Sequence, residues 1–199
     1  MSTTRRIMLP GDPLVEGETA LRPWRDSDLL DLVHACRDPD IVRWTSVPAA
    51  YSEADARNYL RQRYDAAFAG LTAPFAIVHL DSGRLLGSIS LLRFDWSHAR
   101  GEVGYWLARW ARGQGHATRA VRLICAWGFD SLRLERIDLM AATGNPASQS
   151  VAERAGFTRE AVLRSYMRGA FERQDMVMFG LLVDDAPRPN QQPDPVASP

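Results

Sequence analysis

The chain predicts a mixed α/β domain, a mostly antiparallel central sheet of about seven strands flanked by about four helices, with one parallel pair of strands. Three observations carry this prediction. The stretch from Gly101 to Thr118 runs from strand-like residues into a glycine-rich turn and opens a helix. A strand then returns at Ile137–Ala141 beside the one that precedes the turn, and such a β-α-β crossover makes the two strands parallel and right-handed in connection. The remaining strands are joined by short turns such as Asp81-Ser82-Gly83, which pair neighbours antiparallel.

Thr19–Trp24 reads as a first edge strand, with Pro23 near its end where a missing N–H is tolerated. Asp26-Ser27-Asp28 caps a helix to about Arg37, with Leu29, Leu30, Leu32 and Val33 as its apolar face. Ser52-Glu53-Ala54-Asp55 resembles a capping box and opens a second helix ending at Gly70, whose Tyr59, Leu60, Tyr64 and Phe68 read as core. Strands follow at Phe75–Leu80, Leu85–Phe94 and Glu102–Leu107, the last two joined through Asp95–Ala99. After the glycine turn, Ala117–Leu132 forms a helix with Ala120, Val121, Ile124 and Trp127 inward. A short helix from Asn145 to Ala155 ends at Gly156, and a final hairpin pairs Ala161–Arg168 with Asp175–Leu182 across Gly169-Ala170. Residues 1–15 read as a flexible arm, 16–183 as the folded domain, and 184–199 as a disordered proline-rich tail.

Composition bounds the function. With 199 residues, 46% of them hydrophobic, the chain can bury one substantial core. Formal net charge is zero and the basic residues are scattered, so neither nucleic acid nor an anionic membrane is an expected partner. Apolar runs fall well short of the roughly 20 residues of a membrane span. Cys36 and Cys125 each fall in a predicted helix and read as buried thiols, so a reducing cytoplasm is the expected location. His34, His79, His98 and His116 show no ligand spacing, and no metal site is expected.

The glycine turn carries the chemistry. A strand, a turn and a helix start point several backbone N–H groups outward where the helix dipole favours an anion, which suits a pyrophosphate. Small residues at Gly113 and Gly115 let the phosphates approach the amides. A Walker-type loop requires Lys-Ser or Lys-Thr after its last glycine, whereas here His116-Ala117-Thr118 follows. A dinucleotide fingerprint requires Gly-x-Gly-x-x-Gly, which is also absent. All 24 basic residues are arginine, so P-loop and lysine Schiff-base chemistry are excluded together.

The pattern Arg112-x-x-Gly115-x-Ala117 resembles the acetyl-CoA loop of the GNAT superfamily of N-acetyltransferases, written there as (Gln or Arg)-x-x-Gly-x-(Gly or Ala). Further motifs make the chain similar to the RimJ/RimL branch, the ribosomal-protein N-terminal acetyltransferases. They are Leu21–Asp28, Asp38–Trp44, Glu102–Leu107, and Asn145-Pro146-Ala147-Ser148 followed by Ala155-Gly156-Phe157. The resemblance spans Leu21 to Val183 and implies a GNAT fold whose parallel pair splays apart to admit the pantetheine arm. It also implies an acetyl-CoA-dependent N-acetyltransferase that moves the acetyl group directly to a primary amine in a ternary complex. The amine is a protein N-terminal α-amine or a small-molecule amine, and two copies pair through the final strands.

The same resemblance implies the site. The backbone of Trp106 and Leu107 would hold pantetheine, and the Leu107 amide the thioester oxyanion. Amides of Arg112, Gly113, Gln114, Gly115, His116, Ala117 and Thr118 would take the pyrophosphate, with side-chain charge from Arg112 and Arg119. Asn145 would contact the CoA arm and Ser148 would protonate the leaving thiolate, although both also suit an ordinary helix start. Glu102 is the first choice of base. The chain departs from the family in two places: Leu163–Arg168 lacks the glutamate of some relatives, leaving Tyr166 as an acid or a substrate wall, and Ala152 stands where many members have a tyrosine. Substrate walls are expected from Trp44 and Tyr51 on the linker at 41–51 and from Trp96. Readings of other classes are a non-catalytic acyl-CoA-binding or regulatory module with the same fold, and a nucleotide-binding domain of another kind.

Overall fold

A computed structural model describes residues 6–168 and 172–185. Among them the sheet has eight strands: β1 (Leu14–Glu16), β2 (Thr19–Arg22), β3 (Thr72–His79), β4 (Leu85–Asp95), β5 (Arg100–Leu107), β6 (Arg136–Ala142), β7 (Thr158–Arg168) and β8 (Arg173–Leu182). Their order across the sheet is β1-β2-β3-β4-β5-β6-β8-β7, and β5–β6 is the one parallel pair. The helices are α1 (Leu29–Cys36), α2 (Pro39–Trp44), α3 (Glu53–Phe68), α4 (His116–Leu132) and α5 (Pro146–Arg154).

Strand alternation divides the core between the two faces of the sheet. Phe75 and Ile77 of β3 join Ile89, Leu91, Val103, Ile137 and Phe179 against Val121, Ile124 and Trp127 of α4 and Ala152 of α5. Phe75 meets Trp127 edge-on at 5.2 Å between ring centroids. Ala76 and Val78, turned the other way, join Trp24, Leu32, Val33 and Cys36 from the α1 side and Ala56 and Leu60 of α3. Both cysteines are buried free thiols.

The structure corrects four expectations. The segment expected as a loose arm holds β1, which pairs with β2, while Ile7 is buried and Leu9 and Leu14 pack on the α4 side of the core. Expected as the edge, β2 is thereby an inner strand, paired with β1 and β3. The sheet therefore gains a strand over the sequence expectation, because apolar residues spaced too irregularly for a pattern still find a face to cover. The expected linker at 41–51 begins inside α2, a turn of helix opened by Asp38, whose Oδ1 accepts from Asp40 N at 2.9 Å, and by Pro39 at the first helical position. Leu30, Tyr64 and Phe68 are exposed rather than core, and an arginine, Arg6, lies over the Phe68 ring. The turn at Gly169-Ala170 and residues from 186 onward lie outside the described residues.

Between β2 and the start of α1, Arg22 and Asp28 form a buried fork-to-fork pair, with both N–H···O distances 2.7 Å. Asp28 also accepts from Arg25 N at 2.9 Å, so the carboxylate shapes the strand-to-helix turn. Removing one partner strands a buried charge, which costs more than the pair contributes. Asp28→Ala is expected to destabilise the domain by about 3–5 kcal/mol, and the double change Arg22→Met with Asp28→Leu by much less. Urea unfolding of both variants measures this, and equal losses would refute it.

Candidate active site

The site begins where a parallel pair stops being paired. β5 and β6 are in register from Arg100↔Arg136 to Val103↔Leu139 and then part. Beyond that point β5 stays paired to β4 as far as Leu107↔Gly87, and β6 to β8 as far as Ala142↔Met176. Ala108 N donates to Leu86 O at 2.8 Å, so alternation turns the main-chain groups of Tyr105 and Leu107 into the gap. Of the two residues expected to offer backbone there, Leu107 faces the gap and Trp106 does not. The Trp106 carbonyl is turned to β4, so close to Gly87 that a side chain at that glycine would collide with it.

Just past β5 lies the glycine loop. Gly113 and Gly115 have φ of +77° and +78°, a left-handed geometry that other residues adopt at a cost. Gly115 caps α4 without a side-chain hydrogen bond. The first helical bond runs from Arg119 N to Gly115 O at 3.2 Å, so the amides of His116, Ala117 and Thr118 have no intrahelical acceptor. A Cβ at Gly113 would meet nothing within 4 Å, which leaves that side of the loop open. These residues fit an anion at the head of a 17-residue helix.

Side chains brace the loop from behind. Arg119 donates from Nε to Thr19 Oγ1 at 2.8 Å and from NH2 to Gln114 O at 2.8 Å. Its NH2 also lies 3.2 Å from His116 Nδ1, and Thr19 Oγ1 lies 2.8 Å from the same nitrogen. A guanidinium has only donors, so Nδ1 accepts and the ring proton sits on Nε2. His116 is only 2% exposed. Its burial, followed by Arg119 and His79, holds its pKa below the ordinary imidazole value, with Glu18 opposing.

Arg112, expected to lend its charge to the anion, turns away from the loop. Its Nε and NH2 donate to Leu107 O at 3.2 and 3.1 Å, and its guanidinium pairs with Asp38 and Asp40, each at 2.9 Å. The carbonyl at the end of an unpartnered strand attracts the nearest donor, and two carboxylates hold that donor in place.

Glu102 sits one residue before the strands part, opposite Asp138 on β6 and Leu92 on β4. Alternation places it on one face with Gly104 and Trp106, the latter packed with the α1 and α3 core. Arg93 NH1 reaches both Glu102 oxygens at 2.8 Å, from a β4 irregularity where Arg93 has φ of +53°. Burial pushes the Glu102 pKa above the ordinary range, Arg93 pulls it down, and Asp138 adds to the rise.

On the opposite face, Asn145 caps α5, its Oδ1 accepting from Ser148 N at 3.1 Å. Ser148 Oγ lies 3.0 Å from the Tyr105 hydroxyl, a contact from the splayed part of β5 to the start of α5. Burial pushes the Tyr105 pKa up to about 12, so it stays protonated. Sequence reasoning missed Tyr105. The signal was there: it shares a strand face with Val103, toward α4 and α5, whose first turn carries Ser148.

The remaining expected residues divide. Trp44 ends α2 and its ring lies beside Gly144, between β6 and α5. Trp96 stacks on Phe94 at 4.5 Å. Tyr51 is buried in the α1–α3 core with Cys36, so it is no open wall; its aromatic ring fills the core instead. Tyr166 is half exposed on the edge strand β7, and among the described residues no hydrogen bond joins it to Glu102, Ser148 or Tyr105. Among the described residues, no group of three or more His, Cys, Asp or Glu side chains is placed to hold a metal ion, and no helix is long and apolar enough to cross a membrane.

Comparison with known proteins agrees with this fold. A family model described as an acetyltransferase (GNAT) domain matches residues 19–158. The N-acetyltransferase p20 of Bacillus licheniformis is 28% identical over 145 residues, 73% of this chain and 82% of the relative. The ribosomal-protein-serine acetyltransferase of Escherichia coli (strain K12) is 28% identical over 135 residues, 67% of this chain and 73% of the relative. The solved structure of Mycobacterium smegmatis RimJ in complex with CoA-disulfide superposes with a TM-score of 0.79 at 21% identity, covering 85% of this chain and 84% of that one.

The loop brace is expected to depend on pH. The folded-state pKa of His116 lies below the unperturbed 6.5, so its neutral ring contributes stability that is fully present above that value and lost as pH falls through the lowered one. Thermal unfolding followed from about pH 8 to about pH 5 is expected to show a steeper acid loss in the native sequence than in His116→Gln. Equal slopes would remove the ring from the account.

Proposed function

Since the chain belongs to the GNAT acetyltransferase family and is an N-acetyltransferase, we propose that it transfers acetyl directly from acetyl-CoA to a primary amine within a ternary complex. The observation that carries this reading is the parting of β5 and β6 beside an uncapped run of amides, with a carboxylate on one face of the gap and a hydroxyl pair on the other.

In this reading, Tyr105 and Leu107 offer main-chain groups to the pantetheine arm, as an added strand would require. The Leu107 N–H, fixed by the Arg112 contact to its own carbonyl, holds the oxyanion. The amides from Gly113 to Thr118 take the pyrophosphate, and Arg119 adds charge beside them. The solved structure of RimJ in complex with CoA-disulfide supports the choice of CoA as the ligand.

An α-amine has a pKa near 7.7–8.0, so a modest base suffices to present it neutral. Glu102 takes the amine proton, directly or through one water, as the C–N bond forms. The C–S bond breaks, and the thiolate takes its proton from Ser148 Oγ, which regains one from the Tyr105 hydroxyl; solvent reprotonates Tyr105 and receives the proton held by Glu102, so both groups return to their starting states. Because a thiolate of pKa about 8.5 leaves readily, most of the rate comes from alignment and oxyanion stabilisation. Similarity to the E. coli ribosomal-protein-serine acetyltransferase favours a protein N-terminus as acceptor over a small amine.

Free-thiol release over peptides with Ala or Ser N-termini and a panel of small amines tests the reaction; acetyl-CoA binding without turnover of any amine would overturn it. Glu102→Gln is expected to lower kcat about 100-fold with acetyl-CoA affinity unchanged. Glu102 must be deprotonated to act and its pKa is raised above 4.5, so the acid limb of kcat/KM should lie above that value and vanish in the variant. Ser148→Ala and Tyr105→Phe should each reduce kcat about tenfold, and the double variant little further. Additive losses would mean that the two hydroxyls do not act as one unit.

A further inference from the structure

The side chain of Arg112 fastens a helix and not a phosphate. It stands at the end of β5, tied to the Leu107 carbonyl through Nε and NH2. Its NH1 donates to Asp40 at 2.9 Å. Asp38, whose Oδ1 caps α2, presents Oδ2 to Arg112 NH2 at 2.9 Å, and that buried oxygen has no hydrogen bond of full geometry, so the guanidinium charge is what compensates it. One fork thus joins the strand end to the first turn of α2.

α2 then crosses toward the other strand. Ile41 is buried with Ala35 and Ala108, and Trp106 and Trp110 pack on that cluster, so the helix lies over the end of β5 on the face that carries Glu102. Its last residue, Trp44, sets its ring beside Gly144, just past the end of β6. Helix α2 therefore lies across the open ends of the two diverging strands. It is clamped by charge at the β5 side and meets the β6 side through an aromatic ring.

We propose that Arg112 is a positioning residue for the acceptor: by clamping Asp38 and Asp40 it holds α2 as a strap across the mouth of the gap, and Trp44 at the far end of that strap sets the room open to the incoming amine. This rests on the proposed acetyl transfer, with the amine arriving on the Glu102 face. A clamp of this kind separates the two substrates energetically. Cutting it should cost acceptor binding while leaving the loop amides, and the ligand they hold, in place.

The test is the full chain carrying Asp38→Asn and Asp40→Asn together. Asparagine keeps the helix cap and removes the charge, and neither residue belongs to the loop or to β5. Calorimetric titration with acetyl-CoA should give a Kd within about twofold of the native protein, and kcat should change about threefold or less. The KM for an Ala-initiated hexapeptide should rise about tenfold, and amide hydrogen exchange over residues 39–47 should accelerate. Trp44→Ala, read alongside, should shift the ratio of kcat/KM between that hexapeptide and ethanolamine.

An unchanged acceptor KM would overturn the proposal, as would unchanged exchange over 39–47; a tightened acetyl-CoA Kd beside the unchanged KM would return the freed Arg112 to the phosphate site. If the native protein turns over no amine, the reaction itself fails, yet exchange in the charge-cut variant still reports whether the clamp holds α2. Should the double variant fail to fold, Asp40→Asn alone serves, since that side chain is 62% exposed.

Discussion

A parallel pair of strands that parts midway leaves backbone groups without partners, and the rest of this site is arranged around that fact. Buried N–H and C=O groups have to be satisfied by something. On β5 the Leu107 carbonyl is satisfied by Arg112, while Ala108 turns back to β4. The Tyr105 and Ser148 hydroxyls span from β5 to the helix that follows β6. What stays free is the edge itself, a strand-shaped slot with donors and acceptors at strand spacing, closed at its apex by the last paired residues, Val103 and Leu139.

Such a gap survives only if each strand is held firmly from its outer side. β5 is held by β4 along its whole length and β6 by β8 along its own, so the opening costs no more than the few bonds between them. The helices add to this. Gly128 lets α4 come down onto Leu91 and Ile137, where an added Cβ would stand 2.8 and 3.2 Å from their methyl groups. That close approach seats the C-terminal half of α4 on β4 and β6, while Val121 and Ile124, nearer its start and the loop amides, are buried in the same core. The loop amides and the gap are therefore fixed relative to each other by core packing and not by the loop alone.

How much of this was legible in the sequence follows from how local each feature is. The glycine loop, the start of α4 and the Asn145 cap are set by residues within a few positions of one another, and each was read where it stands. The parallel β5–β6 pair was read from the crossover, whereas the placing of β8 between β6 and β7 was not read, because it pairs strands about 40 residues apart with no local signal. β1 was missed because three residues carry too little periodicity to stand out from a loop, although Gly17 and the apolar Leu14 mark the turn. The start of α2 was written in Asp38-Pro39, a cap followed by proline, and was passed over as linker. The direction of Arg112 could not be read at all. It depends on Asp40, 72 positions away, and on the unpartnered Leu107 carbonyl, which exists only once the sheet has formed.

The absence of lysine gains meaning from the structure. Each charged fastening around the site asks one cation for more than one directed contact. Arg93 meets both oxygens of Glu102, Arg112 joins a carbonyl to two carboxylates, and Arg119 joins a hydroxyl, a carbonyl and an imidazole nitrogen. Arg136 holds Asp138 and Glu160 together, over a Gly180 whose missing side chain makes the room. A lysine ammonium is a point charge on a flexible stem and could replace none of these forks without dropping a partner. Since several of these contacts cross between elements, the planar guanidinium is what lets a neutral chain of ordinary hydrophobicity fix the Glu102 carboxylate, the glycine loop and the helix over the gap in one frame.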